Sequence, residues 1–133
     1  MTAVFADTSF YVALASPRDA LHARAQEQAE RHAAAVVTTV YVLLETANFL
    51  CRSPDRAVFV ALIEALDADP QTTIVVGSHE RFVAGCVRYR DRPDKDWSLT
   101  DCLSFLTMQE LGLTDALTAD HHFEQAGFRA MLR

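Results

Sequence analysis

"VVTTVYVLLETANFL", residues 36–50, decides the architecture. Its first four residues are all β-branched and suit a strand. Thr39 then stands where it can cap a helix, which is predicted to run to about Arg52. Ser53-Pro54 breaks that helix, and Pro54 is well placed to begin the next one. The next helix carries Val58, Leu62, Ile63 and Leu66 on one stripe. A strand that passes directly into helices before the next strand is part of a parallel crossover.

The same alternation extends in both directions. "AVFAD", residues 3–7, reads as a strand ending in an acid, and residues 20–33 as an exposed helix. "TTIVV", 72–76, is a third strand. A helix over 78–90 is capped by Ser78, and 91–97 is a loop. "DWSLTDCLSF", 96–105, opens a helix at Ser98 that runs to about Leu111 and stops at Gly112. "DALTAD", 115–120, is a fourth strand turning at Asp120, and "FRAML" a fifth. The pattern predicts an α/β fold in one domain, residues 1–133: a three-layer sandwich with a central parallel sheet of four to five strands flanked by helices. Ligands in such folds sit beyond the carboxyl ends of the strands, where Asp7 and Asp120 both fall.

Composition sets limits on function. The chain has 133 residues, half of them apolar, with only four Gly and four Pro. A chain of this size buries roughly two thirds of its unfolded surface. The three cysteines, Cys51, Cys86 and Cys102, are odd in number and far apart, which reads as reduced core thiols in a cytoplasmic protein. No Lys or Arg precedes Arg18 and Asp7 interrupts the apolar start, so no signal peptide is expected. Glu45, Asn48 and the Thr38-Thr39 pair speak against a membrane span over 33–51. A formal charge of −6 argues against a protein that simply coats nucleic acid.

The informative charges are isolated ones. Asp7 is the only charged residue between 1 and 17, Glu45 between 33 and 51, and Asp101 between 97 and 109. An acid in apolar surroundings usually has a partner or a cation. Asp7, Asp101 and Asp120 each have a structural reading as helix caps, and Ser98 with Asp101 has the spacing of a capping box. Glu45 lies too deep in its helix for that. Brought together, four carboxylates would repel unless something cationic sat between them. Oxygen ligands select hard divalent ions such as Mg²⁺ or Mn²⁺, which suit phosphodiester cleavage.

Other signals are weaker. The histidines, His22, His32, His79, His121 and His122, make no zinc-like spacing; His121 and His122 adjoin Asp120 and could meet a substrate. Arg81, Arg88, Arg90, Arg92 and Lys95 make 81–95 locally basic, either a solvated face or a strip that tracks phosphates. Trp97 and Tyr89 could stack on a base, although a loop aromatic is more often a packing anchor.

The segments "FADTSFYVAL", "VYVLLETANFL", "DWSLTDCLSF" and "DALTADHHFEQAGF", in this order and spanning nearly the whole chain, resemble PIN-domain ribonucleases, specifically VapC-type toxins of type II toxin–antitoxin pairs. The resemblance implies a PIN-like sandwich and metal-dependent cleavage of single-stranded or structured RNA. It carries the family's acids onto Asp7, Glu45, Asp101 and Asp120, with Thr8, Asp96 and Thr118 as auxiliary residues. It implies that Asp7, Glu45 and Asp101 hold one or two ions of Mg²⁺ or Mn²⁺, with Asp120 as a ligand or water-orienter. It further implies a homodimer, and a small cognate antitoxin whose tail covers the site. No membrane partner is expected.

The alternatives are a phospho-acceptor, receiver-like signalling module and a non-catalytic binding module with a divalent-ion site. A receiver needs an acidic pair after its first strand and a lysine after a late one. Here Asp7 stands alone, and the sole lysine, Lys95, lies in a loop.

Overall fold

The computed structural model describes residues 3–31 and 35–133; His32 therefore lies outside the described residues. The first strand, β1 (Val4–Ala6), is followed by α1 (Thr8–Ala15) and α2 (His22–Arg31), then β2 (Val36–Thr39). Next come α3 (Val40–Phe49), α4 (Asp55–Ala68), β3 (Thr72–Val75) and α5 (His79–Asp91). The chain continues through α6 (Leu99–Leu111), β4 (Asp115–Leu117), α7 (His121–Gln125) and β5 (Arg129–Ala130). The five strands form one sheet in the order β3-β2-β1-β4-β5, and every pairing is parallel. This order differs from the 2-1-3-4-5 sheet of flavodoxin-like folds, to which receiver domains belong.

All three residues of β1 are buried, so helices cover both faces of the sheet at its centre. The register Val4↔Val36 and Phe5↔Ala116 sets β1 between β2 and β4. An aromatic chain anchors the β4 side. The rings of Phe105 and Phe123 lie 4.9 Å apart edge-on, and Trp97 meets Phe105 at 5.0 Å. Trp97 also donates from Nε1 to Gln125 Oε1 at 3.0 Å, so it is a packing anchor rather than an exposed stacking platform.

Local signals explain the helix ends. Thr39 accepts from the Val42 amide and Ser78 from the Arg81 amide, as their cap positions require. Gly112 ends α6 with φ 68°, a left-handed conformation that glycine adopts without a Cβ clash.

Four expectations change. The third helix stops at Phe49 rather than near Arg52; Leu50 is its C-cap, and the Leu50 amide makes the last bond back, to the Thr46 carbonyl. The second helix is not fully exposed, since Ala25 and Gln28 are buried where it packs against α1. On α4 Leu62, Ile63 and Leu66 pack against the core, whereas Val58 is exposed. Only Cys102 is a core thiol, for Cys51 is exposed and Cys86 half-buried.

Candidate active site

The order β3-β2-β1-β4-β5 reverses direction between β1 and β4, and a crevice opens at the carboxyl ends of the strands there. A pocket of ≈ 400 Å³ occupies it. Asp7, Thr8, Glu45, Asp96, Asp101 and Asp120 all line the pocket, so residues from four distant segments share one wall. Ser9, Asp19 and His122 line it as well. Thr118 is fully buried behind Asp7.

Asp7 ends β1 at the N-cap position of α1, yet its side chain makes no cap bond. Its Oδ2 accepts instead from Thr118 Oγ1 at 2.8 Å and from Ser9 Oγ at 3.4 Å. Burial, with Asp101 and Glu45 nearby, pushes its carboxyl up to about 7 against the pull of the Thr118 bond.

Asp101 is both cap and pocket wall. Its amide donates to Ser98 Oγ at 3.0 Å, and its Oδ2 accepts from the Ser98 amide at 3.1 Å, a complete capping box. The same Oδ2 lies 3.0 Å from His122 Nδ1. Burial raises the Asp101 carboxyl, and the Ser98 bond opposes that rise.

Asp120 caps α7, its Oδ1 accepting from the His122 amide at 2.9 Å. Thr118 Oγ1 accepts from the Asp120 amide at 3.0 Å, which fixes the turn after β4.

One relationship recurs in all three aspartates. Each has one oxygen, Oδ2 of Asp7, Oδ2 of Asp101 and Oδ1 of Asp120, tied by donors of the chain. The second oxygens of Asp101 and Asp120 meet no donor among the described residues, and the Asp7 carboxyl is drawn further only by the backbone amide of Thr8 beside it. Glu45, half-buried on α3, likewise has no donor or cationic partner among them. Tied carboxylates with free outer oxygens, gathered where their charges repel, fit a hard divalent cation. Asp7, Glu45, Asp101 and Asp120 line this one pocket, and the ligand atoms of Asp120, His121 and His122 converge to within 4.8 Å of one another.

Thr8 donates to the Val42 carbonyl at 3.5 Å and joins α1 to α3 beside the pocket. Asp96 is exposed on the pocket rim.

The basic strip does not act as one surface. Arg81 is held by both oxygens of Glu110, away from the pocket. Arg88 bonds Gln109 and lies over the Trp97 and Phe105 rings. Arg90 and Arg92 are paired with Asp91 and Asp94, and Lys95 stands 4.0 Å from Asp94. Arg90, Arg92 and Lys95 line a second depression with Tyr89, and its wall includes Asp96 and Ser98 of the acid pocket.

Sequence reasoning passed over Ser9 and Asp19. Ser9 could have been found in "DTS", where a second hydroxyl follows Asp7. Asp19 sits in a loop, its Oδ1 accepting from the Leu21 amide at 2.8 Å, and nothing local marks it as part of the site.

Comparison with known proteins identifies the family and the fold. A PIN domain family model matches residues 4–129. The "23S rRNA-specific endonuclease VapC20" of Mycobacterium tuberculosis, in two strains, is 31% identical over 127 residues, covering 94% of this chain and 95% of the relative. A crystal structure of M. tuberculosis VapC20, described as a sarcin–ricin loop cleaving toxin, superposes with a TM-score of 0.86 at 26% identity. That match covers 94% of this chain and 95% of the other.

Proposed function

We propose, since the chain belongs to the PIN domain family, that it is an endoribonuclease toxin whose acid pocket works with a bound divalent cation, Mg²⁺ or Mn²⁺. The single observation that carries the reading is the set of three aspartates, each with one oxygen tied by a donor of the chain, lining one pocket together with Glu45, which has no partner among the described residues.

When bound, such an ion supplies a Lewis acid that offsets phosphate charge and favours an ionised water as nucleophile. The chain's own residues do the rest. Asp7, Glu45, Asp101 and Asp120 hold the ion, one or two in number. Thr118 and Ser9 orient Asp7, and Ser98 orients Asp101. Arg90, Arg92 and Lys95 attract the RNA backbone along the depression that adjoins Asp96. The 23S rRNA on which the mycobacterial relative acts is the first substrate to test.

The same reading carries a homodimer and a small antitoxin whose tail covers the pocket. Exposed apolar residues on α3 support it: Leu44 is 61% exposed and Phe49, on the pocket wall, 69%. Three free thiols fit a cytoplasmic setting. No helix among the described residues is long and apolar enough to cross a membrane.

The test is to incubate purified protein with 23S rRNA, with and without Mn²⁺, and to map new 5′ ends. Discrete cuts that need the ion and vanish in Asp7→Asn are expected. Cuts that persist in that variant, or no cleavage of this or total cellular RNA by wild type, would overturn the proposal.

A further inference from the structure

The acid site contains one nitrogen group that the four acids do not account for. His122, the second residue of α7, has a side chain only 17% exposed. Its Nδ1 lies 3.0 Å from Asp101 Oδ2 and 3.3 Å from Asp120 Oδ1. Ionised carboxylate oxygens only accept, so a ring nitrogen placed between two of them carries its proton. Both are the tied oxygens: Asp101 Oδ2 already accepts from the Ser98 amide, and Asp120 Oδ1 from the His122 amide. The neighbouring His121 has no such grip. Its Nδ1 is 3.6 Å from Asp120 Oδ1, and its side chain is 56% exposed.

We propose that His122 is a positioning residue: its Nδ1–H binds the inner oxygen of Asp101 while its backbone amide binds that of Asp120, so that one residue holds both carboxylates and turns their outer oxygens toward the cation, without itself being a ligand. The inference rests on the reading of the pocket as a divalent-ion site. Two carboxylates facing one pocket repel each other, and one residue that binds both from behind, Asp101 through its ring and Asp120 through its amide, holds the pair in place before the ion arrives. Outer partners of this kind typically change metal affinity by about 10–100-fold when removed. The donor also spans two segments far apart in sequence, so it couples the start of α6 to the turn after β4.

The test is calorimetric titration of the full chain with Mn²⁺, comparing wild type, His122→Ala, His122→Asn and His122→Gln. Thermal melts monitor folding. An Asn amide reaches about as far as Nδ1, whereas a Gln amide reaches toward Nε2. The expected result is binding about 10–100-fold weaker in His122→Ala, largely restored in His122→Asn and not in His122→Gln. Pulsed electron paramagnetic resonance of the Mn²⁺-loaded protein is expected to show no directly bonded nitrogen. Wild-type affinity in His122→Ala, or an Asn variant as weak as Ala, would overturn the inference. So would a strong nitrogen coupling that disappears with His122. A wild-type protein that binds no Mn²⁺ would instead overturn the divalent-ion reading on which the inference stands.

Discussion

Thr118 donates its hydroxyl to Asp7 Oδ2 at 2.8 Å across a separation of 111 residues. The Thr118 hydroxyl oxygen itself accepts from the Asp120 amide and lies 3.2 Å from Ser9 Oγ. One buried hydroxyl therefore fixes the ends of β1 and β4 relative to each other, and with them two of the four acids.

Thr118→Val keeps the shape and removes the donor. It also leaves the Asp120 amide without its acceptor. A loss of about 1–3 kcal/mol in stability is expected, together with weaker Mn²⁺ binding. Denaturant melts and calorimetry check both. A variant as stable as wild type with unchanged affinity would show that the hydroxyl holds nothing in place.

Asp7 gives the metal-free protein a definite pH dependence. Its folded pKa of about 7 stands above the 3.8 of an ordinary aspartate. Between those values the folded state keeps a proton that the unfolded chain has lost. The stabilisation is complete below the unfolded value and is lost as pH rises through the folded one. The raised Asp101 carboxyl acts in the same direction. Metal-free wild type is therefore expected to melt lower at about pH 8 than at about pH 5, apart from the contributions of other groups. Asp7→Asn should flatten that slope and melt higher than wild type at the alkaline end. Mn²⁺ should raise the wild-type melting temperature most at high pH, because binding releases the Asp7 proton. Parallel melts of the two proteins, with and without Mn²⁺, decide the matter; an unchanged slope in Asp7→Asn contradicts it.

Ser98→Ala separates the cap from the chemistry. The variant loses the acceptor for the Asp101 amide but keeps the Ser98 amide that holds Asp101 Oδ2. Stability should fall by about 1 kcal/mol, within the range for cap removal, while cleavage persists. Complete loss of cleavage in a folded Ser98→Ala protein would mean that the hydroxyl does more than cap.

Gly85 marks the close approach of α5 to α6. A Cβ built there would lie 2.6 Å from Leu103 Cδ2 and 2.8 Å from its Cγ, and Leu103 is itself buried. Replacing a helical glycine by alanine ordinarily gains about 0.8–1 kcal/mol, but overpacking a filled contact costs about 1–3 kcal/mol. The clash involves the Cγ branch point as well as a terminal methyl of a buried side chain, so net destabilisation is expected for Gly85→Ala. Pairing it with Leu103→Ala should recover part of the loss through coupling between the two sites.

The basic residues should divide along the lines of their geometry. Arg90→Gln with Arg92→Gln is expected to raise KM for RNA and reduce its salt dependence, by a slope of about 0.7 per lost phosphate contact, with kcat little changed. Arg81→Gln should alter neither, because Arg81 is bound to Glu110 away from both depressions. A stronger effect at Arg81 would relocate the RNA path.

Much of this was legible in one dimension, and the reasons are local. Caps at Thr39, Ser78 and Ser98, the break at Ser53-Pro54 and the stop at Gly112 act within a few residues, so their signals sit together in the sequence. The isolated acids were conspicuous for the absence of other charges around them. Less visible was the choice between cap and site. Asp101 caps α6 and lines the pocket at once, because a carboxylate has two oxygens and the cap uses only one. Asp7 stands at a cap position without capping, because a threonine from the far end of the chain takes its oxygen.

The sequence by itself determined the alternation of strands and helices, their caps and the acids worth watching, since these depend on backbone preference and on patterning within a few turns. Only the tertiary structure decided which groups meet. The parallel strand order brings the ends of β1 and β4 side by side. It sets His122 between Asp101 and Asp120, and it admits Ser9 and Asp19 to the pocket. It also splits the basic strip, sending Arg81 toward Glu110 and Arg88 onto Trp97. Such contacts depend on strand order and packing between distant segments, and no spacing along the chain encodes them.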